Sequence, residues 1–413
     1  MNQPSDSHCL PPALAADGST VKAMGFIIIN SDASLATMVE ACQAQAAIAL
    51  DTEFIRTDTF YPKPALLQIY DGHQVYLIDP LAISDFTPLK YLFNDTSTIK
   101  VMHSCSEDME VFARLLQCYP QPLVDTQIAA SLVGMDFSIS YQRLVETVLD
   151  KQLDKGETRS DWLRRPLSDK QLSYAADDVL WLLDIFDYLQ QRLTALGRYS
   201  WLQEECADLL ERAQQPVDHD VYYLKIKSAW RLGPCALNAL RALCAWRERE
   251  ARGKNVPRSR IVSDASLVEL AKIRPGNKAA LAKITDMRHA TVRHYGERII
   301  ELLNNAEAMP SEQWPAAIQP KNSLELRKTL KKLKQRVAEY AQKLDIPEGM
   351  LARKRDLEAY VAASNRSSEL LGRGWRSEVF ANALEPIVQR YVEQKHAEKK
   401  HVEQKYVEQK DAE

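Results

Sequence analysis

The chain has 413 residues, a formal net charge of −3 and 46% hydrophobic residues, which predict two to four domains with packed cores. Its seven cysteines are scattered without paired short spacing, which argues against a zinc site or a disulfide framework and favours a reducing cytoplasm. Residues 1–18 have no basic residue before a weak apolar stretch, and no run reaches a membrane-spanning length. Neither a signal peptide nor a membrane segment is therefore predicted.

Strand and helix signals alternate in the first half of the chain. Residues 1–23 are predicted to be disordered, and mixed signals then continue to about residue 214, which predicts an α/β sheet domain. The predicted strands are 25–29, 46–53, 65–70, 74–78 and 99–103. The predicted helices include 33–43, 107–117, 126–133, 141–149 and 169–195.

The second predicted strand ends in two acidic residues, Asp51 and Glu53, after the apolar run that starts at Ala46. Strand side chains alternate between faces, so these two carboxylates point the same way. Buried like charges repel one another unless a cation neutralises them, and oxygen ligands favour Mg²⁺ or Mn²⁺ over zinc. Considered alone, Asp51 is explained equally well as a cap of the turn after the strand.

Asp108 follows another apolar stretch, residues 99–103, where serine and acidic residues predict the start of a helix. Considered alone, it is better explained as a helix cap. His103 is interpreted as a histidine satisfied by hydrogen bonds at a strand end rather than as a ligand. Asp125, which follows Leu123 and Val124, is interpreted as structuring a strand end.

Tyr174 and Asp178 are predicted to share one face of a helix. Ser168 and Gln171 match a capping box, and apolar residues then recur at helical spacing. Asp177 is an alternative to Asp178, since it lies three residues from Tyr174 and its side chain also falls near that face. The prediction adopts Asp178.

These motifs, in this order, resemble the DEDDy 3′–5′ exonucleases, and more closely the ribonuclease D family. The resemblance extends over six segments of this sequence: residues 51–56, 66–69, 103–108, 124–127, 159–162 and 174–178. It implies a ribonuclease H-like fold in which Asp51, Glu53, Asp108 and Asp178 hold two divalent ions, Mg²⁺ or Mn²⁺. It also implies that Tyr174 orients the attacking water. Arg56 and Gln68 are either contacts of the terminal nucleotide or residues outside the site.

Beyond Pro216 only helical periodicity is found, up to Tyr391. Residues 246–300 resemble the HRDC domain, and a second unit at 321–392 resembles a more divergent HRDC domain. Plain helical scaffolding is the alternative for both. Basic residues cluster in this half at Arg247, Arg249, Arg252, Lys254, Arg258 and Arg260, and again at Arg327, Lys328, Lys331, Lys332 and Lys334. Such clusters are phosphate contacts or, more commonly, solvated helix faces.

The predicted domains are a disordered extension (1–23), an exonuclease domain (24–214), an HRDC domain (215–308), a second HRDC-like domain (321–392) and a charged tail (393–413). The tail repeats a pentad of the type Tyr-Val-Glu-Gln-Lys, whose period fits no coiled coil, and it is predicted to be a frayed helix or disordered.

The resemblance implies a 3′–5′ exoribonuclease that releases 5′ mononucleotides from RNA, especially transfer-RNA precursors with 3′ extensions. The protein is expected to be a monomer in the cytoplasm. Two alternatives remain: a DNA 3′–5′ exonuclease, because proofreading domains use the same site, and a noncatalytic RNA-binding adaptor. Intact carboxylates argue against the adaptor, since a site without turnover has no reason to cluster like charges.

Overall fold

The structure, a computed structural model, describes residues 25–153, 156–157, 160–318, 324–363 and 369–410. The segment predicted to be disordered, 1–23, lies outside these residues, as does Arg159. Within them no helix is long and apolar enough to cross a membrane. The six described cysteines are free thiols.

A six-stranded mixed sheet forms the centre of the first unit. Its strands are β1 (Phe26–Ile29), β2 (Ala47–Ile55), β3 (Lys63–Tyr70), β4 (Val75–Ile78), β5 (Ile99–Met102) and β6 (Leu123–Asp125). Their order across the sheet is β1-β4-β3-β2-β5-β6, with antiparallel pairs on both sides of β3 and parallel pairs elsewhere. The five predicted strands are present with small shifts in their ends. The short β6 is not among the predicted strands.

Eight helices cover the two faces of this sheet. They are α1 (Asp32–Gln43), α2 (Thr87–Asn94), α3 (Asp108–Leu115), α4 (Thr126–Leu132), α5 (Tyr141–Leu149), α6 (Asp169–Leu180), α7 (Leu182–Ala195) and α8 (Tyr199–Gln214). Helices α1, α2 and α3 share one apolar cluster with the sheet, and α4 to α7 share another. The long helix predicted at 169–195 is two helices that meet at Trp181, and α2 and α8 are not among the predicted elements.

The rest of the described chain is helical, as predicted. The second unit contains α9 (Pro234–Gly253), α10 (Arg258–Ile261), α11 (Asp264–Ile273), α12 (Lys278–Leu281) and α13 (His289–Ala308). The third contains α14 (Leu324–Leu344), α15 (Glu348–Leu351), α16 (Lys354–Ala362), α17 (Gly374–Arg376) and α18 (Asn382–Lys410). Short 3₁₀ helices lie at His219–Lys225, Ala229–Arg231, Ser311–Gln313 and Leu370–Gly372, and a π-helical turn at Ser377–Ala381. The pentad repeat continues α18 as a helix.

The three units contact one another differently. The second unit has its own apolar core, whereas the third shares an apolar cluster with the helices of the first. At that contact Trp201 of α8 stacks on Trp375 of α17, with ring centroids 4.4 Å apart. The loop between β2 and β3 contacts the second unit: the backbone N–H groups of Phe60 and Tyr61 donate to the side-chain oxygen of Asn255.

Candidate active site

Strand β2 places the first two carboxylates on one face of the sheet. Opposite them on β3, Gln68 faces Asp51 and Leu66 faces Glu53. Because strand side chains alternate, Asp51 and Glu53 lie on the same face as the buried Ala49, as the sequence pattern predicts. The β2–β3 register shifts immediately after Glu53, and such bulges recur beside active sites because they re-aim side chains.

Asp108 is the first residue of α3, where the predicted helix begins, and it is buried. Its side chain does not act as the helix cap. It instead accepts a hydrogen bond from the hydroxyl of Thr52, the residue between the two acids of β2. This contact joins the start of α3 to the end of β2.

Helix α6 brings Tyr174 and Asp178 to the site. The predicted capping box is present, since Ser168 and Gln171 each bond the backbone N–H of the other. One helical turn separates Tyr174 from Asp178, and the tyrosine hydroxyl donates a hydrogen bond to the Asp178 carboxylate. Just beyond Asp178 the helix stops, because the hydroxyl of Tyr141 donates to the Asp177 carbonyl and accepts from the Trp181 N–H.

The four carboxylates form one electrostatic cluster. Burial raises the pKa of Asp51 well above its ordinary value, and the charges of Asp108, Asp178 and Glu53 raise it further. Burial, followed by the charges of Asp178 and Asp108, raises the pKa of Glu53 to about 9. Burial also raises the pKa values of Asp108 and Asp178, while the hydrogen bonds from Thr52 and Tyr174 oppose the increase. Residues from β2, α3 and α6 therefore converge as the sequence predicts.

Tyr174 keeps its proton at neutral pH. Its pKa is raised above the ordinary value of a tyrosine by burial first and then by the charges of Asp178, Glu53 and Asp51. A neutral hydroxyl donates hydrogen bonds but is a poor general base. The raised pKa makes Tyr174 a poorer candidate for proton abstraction than an ordinary tyrosine.

The residues of this cluster fit a divalent cation by the chemistry of their donors. Four carboxylates in mutual repulsion supply hard oxygen ligands, and a divalent cation relieves the repulsion. Among the described residues, no group of three or more His, Cys, Asp or Glu side chains already has the geometry that encloses one ion.

The neighbouring residues take the structural roles predicted for them. His103 bonds the Thr126 hydroxyl at 2.9 Å and the Ile139 carbonyl at 3.0 Å, and burial lowers its pKa, so it is a satisfied histidine. The Asp125 carboxylate accepts hydrogen bonds from the backbone N–H groups of Ser104 and Gln127. Through the bond from Gln127, Asp125 caps the N-terminus of α4.

Arg56 and Gln68, whose roles the sequence left open, have different environments. Arg56 forms an ion pair with Glu110 of α3. Gln68 is completely buried, so it has no surface for a nucleotide to touch.

Thr52 and Tyr141 support the site but were not found from the sequence. Thr52 lies between two acids and resembles an ordinary strand residue, and its partner Asp108 is 56 residues away. Tyr141 begins α5, and it reaches across 36 residues to the end of α6. Only the three-dimensional contacts reveal either role, because neither has a periodic or motif signal.

The comparisons with known proteins agree with this architecture. Residues 26–194 match the family model described as 3′–5′ exonuclease, and residues 236–303 match the HRDC domain. The fold and the site thus define a 3′–5′ exonuclease with an HRDC domain.

Ribonuclease D of Pseudomonas paraeruginosa is 43% identical over 363 residues, which cover 86% of this chain and 96% of that protein. Ribonuclease D of Escherichia coli is 35% identical over 377 residues, covering 89% and 100%. The crystal structure of Escherichia coli RNase D, described as an exoribonuclease involved in structured RNA processing, has a TM-score of 0.84 and 34% identity and covers 89% and 100%. The chain belongs to the ribonuclease D family: it is a 3′–5′ exoribonuclease, a hydrolase of RNA that uses divalent metal ions.

Proposed function

We propose that the enzyme shortens RNA one nucleotide at a time and releases 5′ mononucleotides, with 3′-extended transfer-RNA precursors as its main substrates. The observation that carries the proposal is the convergence of Asp51, Glu53, Asp108 and Asp178 beside the hydroxyl of Tyr174. A second HRDC-like domain at 321–392 and an HRDC domain at 215–308 accompany the exonuclease domain at 24–214. We further propose that the protein works as a monomer in the cytoplasm, and the free thiols of its six described cysteines are consistent with a reducing compartment.

The four carboxylates would hold two divalent ions, Mg²⁺ or Mn²⁺. Bound there, the ions would supply the chemistry of water activation and of leaving-oxygen stabilisation. The chain's own residues orient the reaction. Tyr174 keeps the proton on its hydroxyl and donates a hydrogen bond to Asp178, so the hydroxyl would position a water by accepting a hydrogen bond from that water. Thr52 holds the carboxylate of Asp108 at the start of α3.

Release of nucleotides from an RNA with a stem and an unpaired, 3′-labelled tail tests this proposal. Stepwise release of 5′ mononucleotides with Mg²⁺ or Mn²⁺, and none with excess chelator, is the expected result. A matched DNA substrate separates the alternatives, because faster degradation of DNA would support a DNA exonuclease. Binding of RNA without shortening under any divalent ion would support the adaptor instead.

Substitution of Tyr174 by phenylalanine is expected to lower kcat about 100-fold with little change in KM, because loss of the hydroxyl misplaces the water without removing a binding surface. Steady-state kinetics over a range of RNA concentrations measure kcat and KM separately. Tyr188→Phe is the matched control, since its hydroxyl contacts Arg192 on α7. Equal activity of Tyr174→Phe and wild type would show that the hydroxyl has no catalytic role.

A cavity of about 1030 Å³ beside the site supports RNA as the substrate. Its walls come from all three units and contain eight arginines against three acidic residues. It borders Arg56, three residues beyond Glu53, and Met109 and Glu110, which follow Asp108. Several of these guanidinium groups, including that of Arg376, are paired with carboxylates, so the arginines exposed to solvent are the ones that would attract a phosphate backbone.

Two arginines of this cavity, Arg114 and Arg355, are exposed, on α3 and α16 respectively. Replacing both with glutamine is expected to raise KM for tailed RNA and to flatten its salt dependence, by about 0.7 in logarithmic slope for each phosphate that the protein no longer neutralises. Steady-state kinetics between low and physiological salt measure both effects. Lys354→Gln with Arg192→Gln removes the same charge outside the cavity wall, so an equal change in this control would assign the effect to net charge alone.

A further inference from the structure

Gln68 is a buried side chain that has no hydrogen-bonding partner among the described residues. It lies in the middle of β3, its exposure is 0%, and neither its Oε1 nor its Nε2 atom is bonded. An unpaired buried polar group is destabilising, so native structures keep few of them. A group of this kind next to an active site is a candidate for a role there.

The sheet register identifies the neighbour of the Gln68 amide. Asp51 is directly opposite on β2, and the buried Leu77 is opposite on β4. Directly opposed strand residues point to the same face with their Cβ atoms about 5 Å apart, so the amide and the carboxylate lie side by side. Helix α6 covers this part of the sheet with apolar residues such as Ala175 and Val179. Asp51 is therefore the polar side chain next to Gln68 in the sheet.

Asp51, like Glu53, lacks the side-chain donor that the other two carboxylates have. Asp108 has the hydroxyl of Thr52, and Asp178 has the hydroxyl of Tyr174. The hydrogen bond that acts on Asp51 comes from the backbone N–H of Thr52. The Asp51 carboxylate therefore has no side-chain donor, and the Gln68 amide has no acceptor. The two residues are direct neighbours in the sheet.

We propose that Gln68 is a positioning residue for Asp51: its Nε2–H group donates to one carboxylate oxygen and turns the other toward the divalent ion. This inference rests on the metal-dependent function proposed above. Donors that hold a metal ligand in this way typically contribute a factor of about 10–100 to metal affinity or activity. Gln68 acts through Asp51 and does not touch RNA, since it has no exposed surface.

Binding of Mn²⁺ alone to the full chain, measured by calorimetry or by electron paramagnetic resonance, tests the proposal. Gln68→Met, which has similar length and no polar atom, is expected to weaken Mn²⁺ binding about 10–100-fold. Its melting temperature without metal is expected to stay equal or rise, because an apolar group replaces an unpaired amide. A purely structural role predicts the opposite pair of results, a lower melting temperature and unchanged Mn²⁺ affinity.

Kinetics provide a second readout. The Mg²⁺ concentration for half-maximal activity of Gln68→Met is expected to rise by the same factor, while KM for RNA at saturating Mg²⁺ stays unchanged. Gln68→Leu repeats the test if the methionine variant fails to fold. Gln74→Met is the matched control, because the side chain of Gln74 bonds the Gly25 carbonyl just before the first residues of β4 and β1, away from Asp51.

The outcomes separate this inference from the proposed function. Absence of Mn²⁺ binding to wild type would overturn the metal-dependent function itself. Equal Mn²⁺ affinity of wild type and of a folded Gln68→Met or Gln68→Leu variant would overturn the positioning role alone.

Discussion

Asparagine in place of Asp178 is expected to lower kcat about 1000-fold, equivalent to about 4 kcal/mol of transition-state stabilisation. The side chain keeps its shape and can still accept from Tyr174, so the change removes mainly the charge. Burial and the surrounding acids show that this charge belongs to the cluster: Asp178 raises the pKa of both Asp51 and Glu53. Single-turnover release from a tailed RNA with saturating Mg²⁺ measures the loss.

Asp177→Asn is the matched control, because the two residues are neighbours on α6 and carry the same charge. The contribution of Asp177 to the fold comes in part from its backbone carbonyl, which accepts from Tyr141 and is unchanged by the substitution. We expect Asp177→Asn to retain activity within about a factor of three of wild type. A loss in Asp177→Asn as large as that in Asp178→Asn would mean that the sequence interpretation chose the wrong acid.

Asp177 and Asp178 show which parts of the site can be predicted from local sequence patterns. Helical spacing relates each of them to Tyr174, and strand alternation orients Asp51 and Glu53, so both facts are readable within a few residues. The alternation is also visible in the register with β3. These parts of the site follow from periods of two and 3.6 residues. They do not depend on distant contacts.

The division between α6 and α7 is different, because apolar residues continue at helical spacing through it. The predicted helix 169–195 therefore has no visible break in the sequence. Tyr141 makes the break by bonding backbone groups on both sides of it, at Asp177 and Trp181. That contact is tertiary, so no local pattern contains it.

Gln68 is a related case. The sequence shows a glutamine in an apolar strand, which is equally consistent with a nucleotide contact and with a residue outside the site. The alignment of β3 against β2 decides which acid it faces, and that alignment depends on the bulge beside Glu53. A shift of one residue would have moved Gln68 to the opposite face of the sheet.

The largest effect on stability is expected at the contact between the first and third units. Arg376 of α17 forms an ion pair with Glu205 of α8, and their side chains are only 6% and 12% exposed. The guanidinium also donates to the carbonyls of Met350, at 2.7 Å, and Leu351, at 3.0 Å. These contacts satisfy a charge that would otherwise be buried without compensation.

Arg376→Met should therefore destabilise the protein by about 3–5 kcal/mol, because it leaves Glu205 partly buried and two carbonyls without their donor. We expect the melting temperature to fall by about 10 °C, as measured by scanning fluorimetry. Arg373→Met is the control: Arg373 pairs with Asp208 on the same helix, but its side chain is 40% exposed. Exposed pairs contribute at most about 1 kcal/mol, so this variant should melt within a few degrees of wild type. If both variants melted at the same temperature, burial of the Arg376–Glu205 pair would not be what joins the third unit to the exonuclease domain.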